Sequence, residues 1–350
     1  MEPLLERLRE VIAVHFHPES GTRYWLDRAR ALGLDPLEDV RTVADLALFG
    51  DMTPADLSGS PLADQVPKAL HDAQGRLIVG KTGGTTGGGI WTAYRDDEFD
   101  DAFVRPFVVA ADHVGFPRGE RWLYVGPTGP HVMCKAASQL ARARGSPDPF
   151  SVDFDARWAR KLPEGSFACE RYTQHVVDQA MCVIEMQDIG ILFTTPDIIA
   201  RLATKMSLRQ RARIRGVHYG GMEVTSQELE RFQLELLPDA VHLAGYGNTL
   251  FGCCLELTST PGRQLDYYPH GNRLLLEIVN DRGEAVPEGE TGALRFTRLD
   301  ETVLIIRMRE RDEAVSVALP DGAPEGYASP GVRNPRTSPA GEAQVSLGLY

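Results

Sequence analysis

From Leu4 to Ile12, apolar side chains at Leu4, Leu5, Leu8, Val11 and Ile12 recur at the spacing of a helix with one buried face. Tyr24 to Leu32 repeats that spacing, and Gly33 supplies the stop. A further amphipathic piece, Val40 to Gly50, leads through a proline-containing loop to a short β-type run, Arg76 to Val79. Beyond it, β-like runs at 122–125, 190–193, 213–219 and 240–246 alternate with helical ones at 135–143, 173–186, 196–206 and 225–237. Alternation of this kind predicts parallel strands with covering helices. From Phe251 the pattern changes to closely spaced strands at 255–257, 273–279, 293–299, 302–308 and 315–319, with a turn at 280–284. These predict an antiparallel sheet or small barrel packed beside the α/β part. The segment 316–350 is rich in proline and glycine and poor in large apolar residues, which predicts a tail without a core of its own. The expected fold class is α/β: a core over 1–250, a β-rich subdomain of the same large domain over 251–315, and the tail over 316–350.

Composition narrows the functions. A chain of 350 residues with 43% hydrophobic and 25% charged positions is long enough for a sizeable core and a closed small-molecule site. The net charge of −12 repels polyphosphate backbones, and no basic block with interleaved aromatics interrupts it, so nucleic acid is not an expected partner. No apolar run is long enough for a membrane span, and the charged amino terminus does not read as a secretion signal, so a cytoplasmic location is expected. The five cysteines, Cys134, Cys169, Cys182, Cys253 and Cys254, show no CxxC spacing and read as reduced, mostly buried thiols rather than metal ligands. HExxH and GxSxG patterns are missing, which removes the main support for metalloprotease and serine-esterase readings.

Candidate chemistry begins where the composition changes abruptly, at Thr82 to Gly89, a run of only threonine and glycine. Gly75 to Thr82 formally fits GxxxxGK[ST], but the four variable positions are the β-run itself and glycine, not a helix, follows Thr82, so context removes that match. The run after Lys81 is the better anion site: Thr82, Thr85 and Thr86 offer hydroxyls among glycines whose bare backbone N–H groups can converge on phosphates.

Five segments in one order along the chain add weight. KTGGTTGGG (81–89) resembles the Thr/Ser-rich phosphate loop of the adenylate-forming enzymes, the superfamily of acyl-CoA ligases, luciferases and peptide-synthetase adenylation domains. HYGGMEV (218–224) resembles that family's Gly-Gly segment beside the adenine, and AGYGNT (244–249) its Tyr-Gly-x-Thr-Glu segment. PEGETGALRFT (287–297) resembles its Gly-Glu-x-Gly-Glu-Leu strand pair, and IIRMRERDEA (305–314) its Arg-Tyr-Arg-Thr-Gly-Asp segment. The amino-terminal helices look most like the phenylacetate-CoA ligase branch. The resemblance implies that Thr82, Gly84, Thr85, Thr86 and Gly87 hold the β- and γ-phosphates of ATP. It implies further that Gly220, Gly221 and Met222 border the adenine, with Tyr246, Gly247 and Asn248 on its other side. Thr249 would reach the α-phosphate, and Asp312 would accept two hydrogen bonds from the ribose.

The chain departs from the family at several points. The loop's usual lysine is missing, with Lys81 as a substitute charge, and the glutamate that helps hold Mg2+ is Leu250. Thr-Gly before the aspartate is Glu310-Arg311, and the mobile domain with its catalytic lysine that comes next in the family has no counterpart in residues 313–350. Charge stabilisation then falls to arginines such as Arg307 or Arg309, or to another polypeptide. On the substrate side, His131 succeeds a β-run and a Gly/Pro turn, while His218, Tyr219 and Gly245 flank the adenine segments. The implied activity is ATP- and Mg2+-dependent conversion of a carboxylic acid, aromatic by the branch resembled, to an acyl-adenylate, with transfer to a thiol of CoA or a carrier protein in a biosynthetic pathway. The alternatives are a noncatalytic nucleotide- or acyl-binding protein and an amide- or ester-forming acyl-protein synthetase. A homodimer is left open.

Overall fold

A computed structural model describes residues 2–71, 77–82, 89–163, 165–222 and 224–338. Two amphipathic helices open the chain. α1 (Glu2–His15) buries Leu8, Val11, Ile12 and His15, a single stripe. α2 (Arg23–Leu32) buries Trp25 and Ala29 and stops at Gly33, whose φ of 69° is the left-handed conformation that ends helices. Trp25 packs on Phe16 and Phe49 and donates its indole N–H to the Leu304 carbonyl at 3.0 Å. The first helices therefore dock on a strand near the opposite end of the chain.

A short antiparallel pair, β1 (Ile78–Lys81) and β2 (Trp91–Tyr94), flanks the Thr/Gly run. The central sheet has six strands in the order β4-β3-β5-β6-β7-β8: β3 (Arg121–Gly126), β4 (Phe150–Asp153), β5 (Ile189–Thr194), β6 (Gly216–Tyr219), β7 (Val241–Asn248) and β8 (Gly252–Leu255). Pairing is parallel except between β7 and β8. Helices cover both faces. Those at Phe167–Met186 and Pro196–Lys205 press Val176, Ile184, Ile198 and Leu202 against one face. Those at Arg105–His113 and Met133–Ala143 press Phe107, Ala137 and Leu140 against the other. With both faces covered, β5 is buried at every position, as a central parallel strand must be. The predicted α/β alternation is borne out.

The second sheet is antiparallel, in the order β10-β11-β12-β13-β9: β9 (Asp266–Tyr267), β10 (Leu274–Val279), β11 (Thr291–Leu299), β12 (Leu304–Val317) and β13 (Gly331–Thr337). Three boundaries differ from the sequence expectation. β8, although it comes after Phe251, belongs to the central sheet. The runs at 302–308 and 315–319 are parts of one strand, β12, which bulges against its neighbours instead of turning. The segment expected to be a tail contributes β13, held between β12 and β9. Its side chains are mostly polar, so its place rests on backbone pairing that apolar periodicity does not signal.

A buried ion cluster joins the two sheets. Asp300, fully buried, receives Arg273 at 2.6 and 3.0 Å, Arg298 at 2.6 Å and, from α1, Arg7 at 3.2 Å. Burial alone would raise the Asp300 carboxyl, but the adjacent charges of Arg273 and Arg298 outweigh it and hold it well below the usual range. Asp300→Ala strands two buried guanidiniums, and guanidinium denaturation should show a loss of about 3–5 kcal/mol. A change within about 0.5 kcal/mol, the usual range for surface substitutions, would show that the cluster carries no net stability.

Candidate active site

The carboxyl ends of β3, β5, β6 and β7 border one cleft, as expected for a parallel sheet whose strand order reverses at β3. Two cavities open from it. The smaller one, about 100 Å³, is walled by Phe103, Tyr124, Phe154 and Phe193 and reaches His131 and His218. The larger one, about 250 Å³, lies between Gly221–Met222, Tyr246–Gly247 and the β13 residues Asn334, Pro335 and Arg336. Gly221, Gly245, Tyr246 and Gly247 line both, so the cavities meet at a waist of mostly bare backbone. Gly221 needs its freedom, at φ 79°, and a Cβ on Gly247 would collide with the Gly252 carbonyl across the β7–β8 pairing.

Tyr246 donates its hydroxyl to Asp312 at 2.8 Å, and Thr337 of β13 donates to the same carboxylate at 3.3 Å. Asn248, two residues on, gives its amide to Glu310 at 2.7 Å. Its own carbonyl caps the N–H groups of Leu250 and Phe251 at 2.8 and 3.2 Å, closing the turn that carries Thr249. The Thr249 carbonyl accepts the Tyr94 hydroxyl at 2.7 Å, while its methyl group stands 3.0 Å from where a Gly80 Cβ would be. Only glycine lets β1 approach this closely. The Lys81 N–H donates to the Pro130 carbonyl at 2.8 Å, next to His131. The root of the Thr/Gly run is thus pinned beside the cleft.

His218 and Tyr219 are neighbours on β6 and face opposite ways, as alternation along a strand requires. The His218 ring packs on Phe107 and Phe193, and its Nδ1 lies 2.9 Å from the Leu243 carbonyl. Burial pulls its imidazole down to about 4. Tyr219 instead stacks on Phe232 and His242 and gives its hydroxyl to His242 Nδ1 at 2.5 Å. The ring of Tyr219 packs in the core behind the sheet, although the residue is part of the smaller cavity's lining.

The other expected residues divide. His131, His218, Gly220, Gly221, Gly245, Tyr246, Gly247, Asn248 and Thr249 come together at the cleft, and Met222 lines the larger cavity. Gly84, Thr85, Thr86 and Gly87 lie outside the described residues. Thr82 closes the neck of its loop, donating its backbone N–H to the Ile90 carbonyl and accepting the Ile90 N–H on its hydroxyl, both at 2.9 Å. Three expectations are corrected. The Lys81 ammonium sits over the Trp91 ring at 5.2 Å instead of lining either cavity. Arg307 pairs with Asp51 at 2.8 Å, as does Arg309, so the charge expected of both is spent on a carboxylate that lines neither cavity. Asp312 is 3% exposed and already holds two hydroxyls, so in this arrangement it does not present both oxygens to a sugar. The cysteines also differ from expectation, since Cys182 is exposed and Cys254 alone is fully buried.

Fit to a protein-held magnesium is poor. Leu250 occupies the family's glutamate position within the apolar core, and among the described residues no group of three metal-ligating side chains forms. Sequence reading missed the aromatic wall and the β13 contribution. Phe103, Phe154 and Phe193 are scattered through the chain and converge only through the fold, and Asn334 to Arg336 fell in the expected tail.

Comparison with protein-family models and with curated proteins finds no match. Solved structures do match. 2-Hydroxyisobutyryl-CoA ligase, in its thioesterification state with 2-HIB-AMP and CoA, superposes with a TM-score of 0.64 at 14% identity over 95% of this chain and 66% of that one. An open conformation of the same ligase gives 0.66 at 14% identity over 95% and 73%. The chain thus spans about two thirds to three quarters of the length of these ligases. No helix among the described residues is long and apolar enough to cross a membrane.

Burial sets a pH dependence. His15, His218 and His242 are each pulled down to about 4, whereas in the unfolded chain they bind a proton near 6.5. Between those values the unfolded state holds more protons, so stability falls as pH falls. Glu310, pushed up to about 7 by burial and by the charge of Asp312, acts in the opposite sense above 4.5, as does Glu256, which burial also raises; His270, lowered by burial, joins the other histidines, so two groups stand against four. The melting temperature should drop from pH 7 to pH 4.5, and a flat profile over that window would contradict these assignments. The two-sheet architecture gives the chain the same fold as the part of 2-hydroxyisobutyryl-CoA ligase that it superposes on.

Proposed function

We propose that the protein activates a carboxylic acid with ATP, forming an acyl-adenylate and releasing pyrophosphate. One observation carries this reading: a larger polar-edged cavity and a smaller aromatic one meet at a glycine waist beside Thr249 and the root of the Thr/Gly run. A base and sugar suit the first, an acyl group the second, and the phosphorus under attack the waist between them. Carboxylate and triphosphate repel, so the site must neutralise charge while aligning the two. Thr249 would meet the α-phosphate, and Thr85 and Thr86 the departing pyrophosphate. The aromatic walls favour an aromatic acid. The acyl group would then pass to a thiol of CoA or of a carrier protein. Magnesium would arrive with the triphosphate as part of the substrate, since the described residues supply few groups to hold it.

A second reading has specific support. Lys81 lies on Trp91, Arg307 and Arg309 lie on Asp51, and Asp312 is engaged by Tyr246 and Thr337. A site so arranged could bind nucleotide or acid without turnover.

ATP–pyrophosphate exchange, screened over aromatic and short aliphatic acids, separates the two. Exchange with at least one acid is expected; ATP binding without exchange would establish the second reading. Thr249→Val keeps the shape and removes the hydroxyl, and it should lower exchange by about 10²–10³-fold if that hydroxyl meets developing charge. Joint replacement of Thr85 and Thr86 by alanine should also lower exchange, and unchanged rates in both variants would remove these threonines from the phosphate site.

A further inference from the structure

The smaller cavity is lined by a ring nitrogen acceptor that has no partner among the described residues. His218 is 6% exposed, and a carbonyl oxygen, which can only accept, lies 2.9 Å from its Nδ1. Nδ1 therefore carries the ring proton. The second nitrogen, Nε2, is left with a bare lone pair, and among the described residues no donor reaches it. Of the hydroxyls that line the same cavity, that of Thr195 is buried without a partner among the described residues, and two others are already committed. The Tyr124 hydroxyl donates to the Pro127 carbonyl at 3.1 Å, and the Thr194 hydroxyl to the Val125 carbonyl at 2.6 Å. The surrounding rings of Phe103, Phe154 and Phe193 suit a flat apolar body. Gly245 keeps the approach to the imidazole clear, since a Cβ there would stand 3.3 Å from His218 Cε1.

From this geometry we infer that the acid is aromatic and carries a hydroxyl or amino substituent that donates a hydrogen bond to His218 Nε2. An apolar substituent of the same size would bury that lone pair unpaired, which costs on the order of 1–3 kcal/mol, or about 5–150-fold in affinity. His218 is thereby a specificity residue, holding the ring and remaining outside the bonds that change. The inference rests on the acyl-adenylate reading only in taking the ligand to be a carboxylate.

Calorimetric titration tests it without turnover. The probes are benzoates bearing hydroxyl, amino or methyl at the ortho, meta or para position, titrated into the full chain, wild type and His218→Leu. In wild type, the best hydroxyl or amino isomer should bind at least about fivefold more tightly than the methyl compound of the same geometry. His218→Leu should level the two. Should that variant fail to fold, the nitrogen-15 resonance of His218 Nε2 in wild type serves instead: it should move on adding the preferred isomer and stay fixed with the methyl one. Equal or inverted affinities in wild type, a preference that survives in folded His218→Leu, or no binding of any benzoate would overturn the inference. Pyrophosphate exchange decides adenylation separately. Selective binding without exchange would sink that reading and leave this one standing, whereas exchange indifferent to the substituent would do the reverse.

Discussion

The carboxylate of Asp300 is the constraint on which the arrangement depends. By fixing Arg273 and Arg298 in the interior it aims their remaining N–H groups at three carbonyls on two separate pieces of backbone. Arg298 reaches the Leu250 carbonyl at 2.9 Å and the Ala93 carbonyl at 2.7 Å, and Arg273 reaches the Phe251 carbonyl at 2.5 Å. Leu250 and Phe251 form the turn after Thr249, and Ala93 lies on β2, the strand that flanks the Thr/Gly run. Arg298 also lies 3.8 Å from the centre of the Tyr94 ring, whose hydroxyl holds the Thr249 carbonyl. One buried charge thus ties the antiparallel sheet and the first helix to the segment that borders the cleft. A charge without these partners would be intolerable in that interior, so the partners are effectively obligatory.

How much of this was legible in the sequence depends on what each element rests on. The parallel strands and their helices announce themselves because burial imposes a period on side chains, and runs such as Gly190 to Phe193 have nowhere else to go. β13 rests on backbone pairing with polar side chains outward, so composition suggested a tail. Gly220–Gly221 and Gly245–Gly247 found their places at the cleft because the requirement they meet, close approach of bare backbone, is a property of the residue type. Charged residues were less legible. Arg307 and Lys81 were assigned by position along a motif, but the partner that captures each, Asp51 and Trp91, is set by the fold and leaves no local mark.

The aromatic pocket illustrates the same limit from the other side. No window of the sequence contains it, since its walls come from a helix, several strand ends and a loop. What could be read was His218 beside the glycine pair, and strand alternation alone then separates it from Tyr219. Which of the two faces the cleft depends on register, and register is fixed by the pairing of β6 with β5 and β7.

The hold of β13 on Asp312 has a consequence for how a sugar could ever be received there. Thr337 and Tyr246 already supply the carboxylate with two donors, so an incoming diol would trade like for like, an exchange nearly neutral in itself. The energetic difference would then be set by the end of the strand that must let go. A nucleotide received there, as the proposed function requires, would couple its capture to release of that strand end, with Thr337 competing for the same carboxylate as the guest.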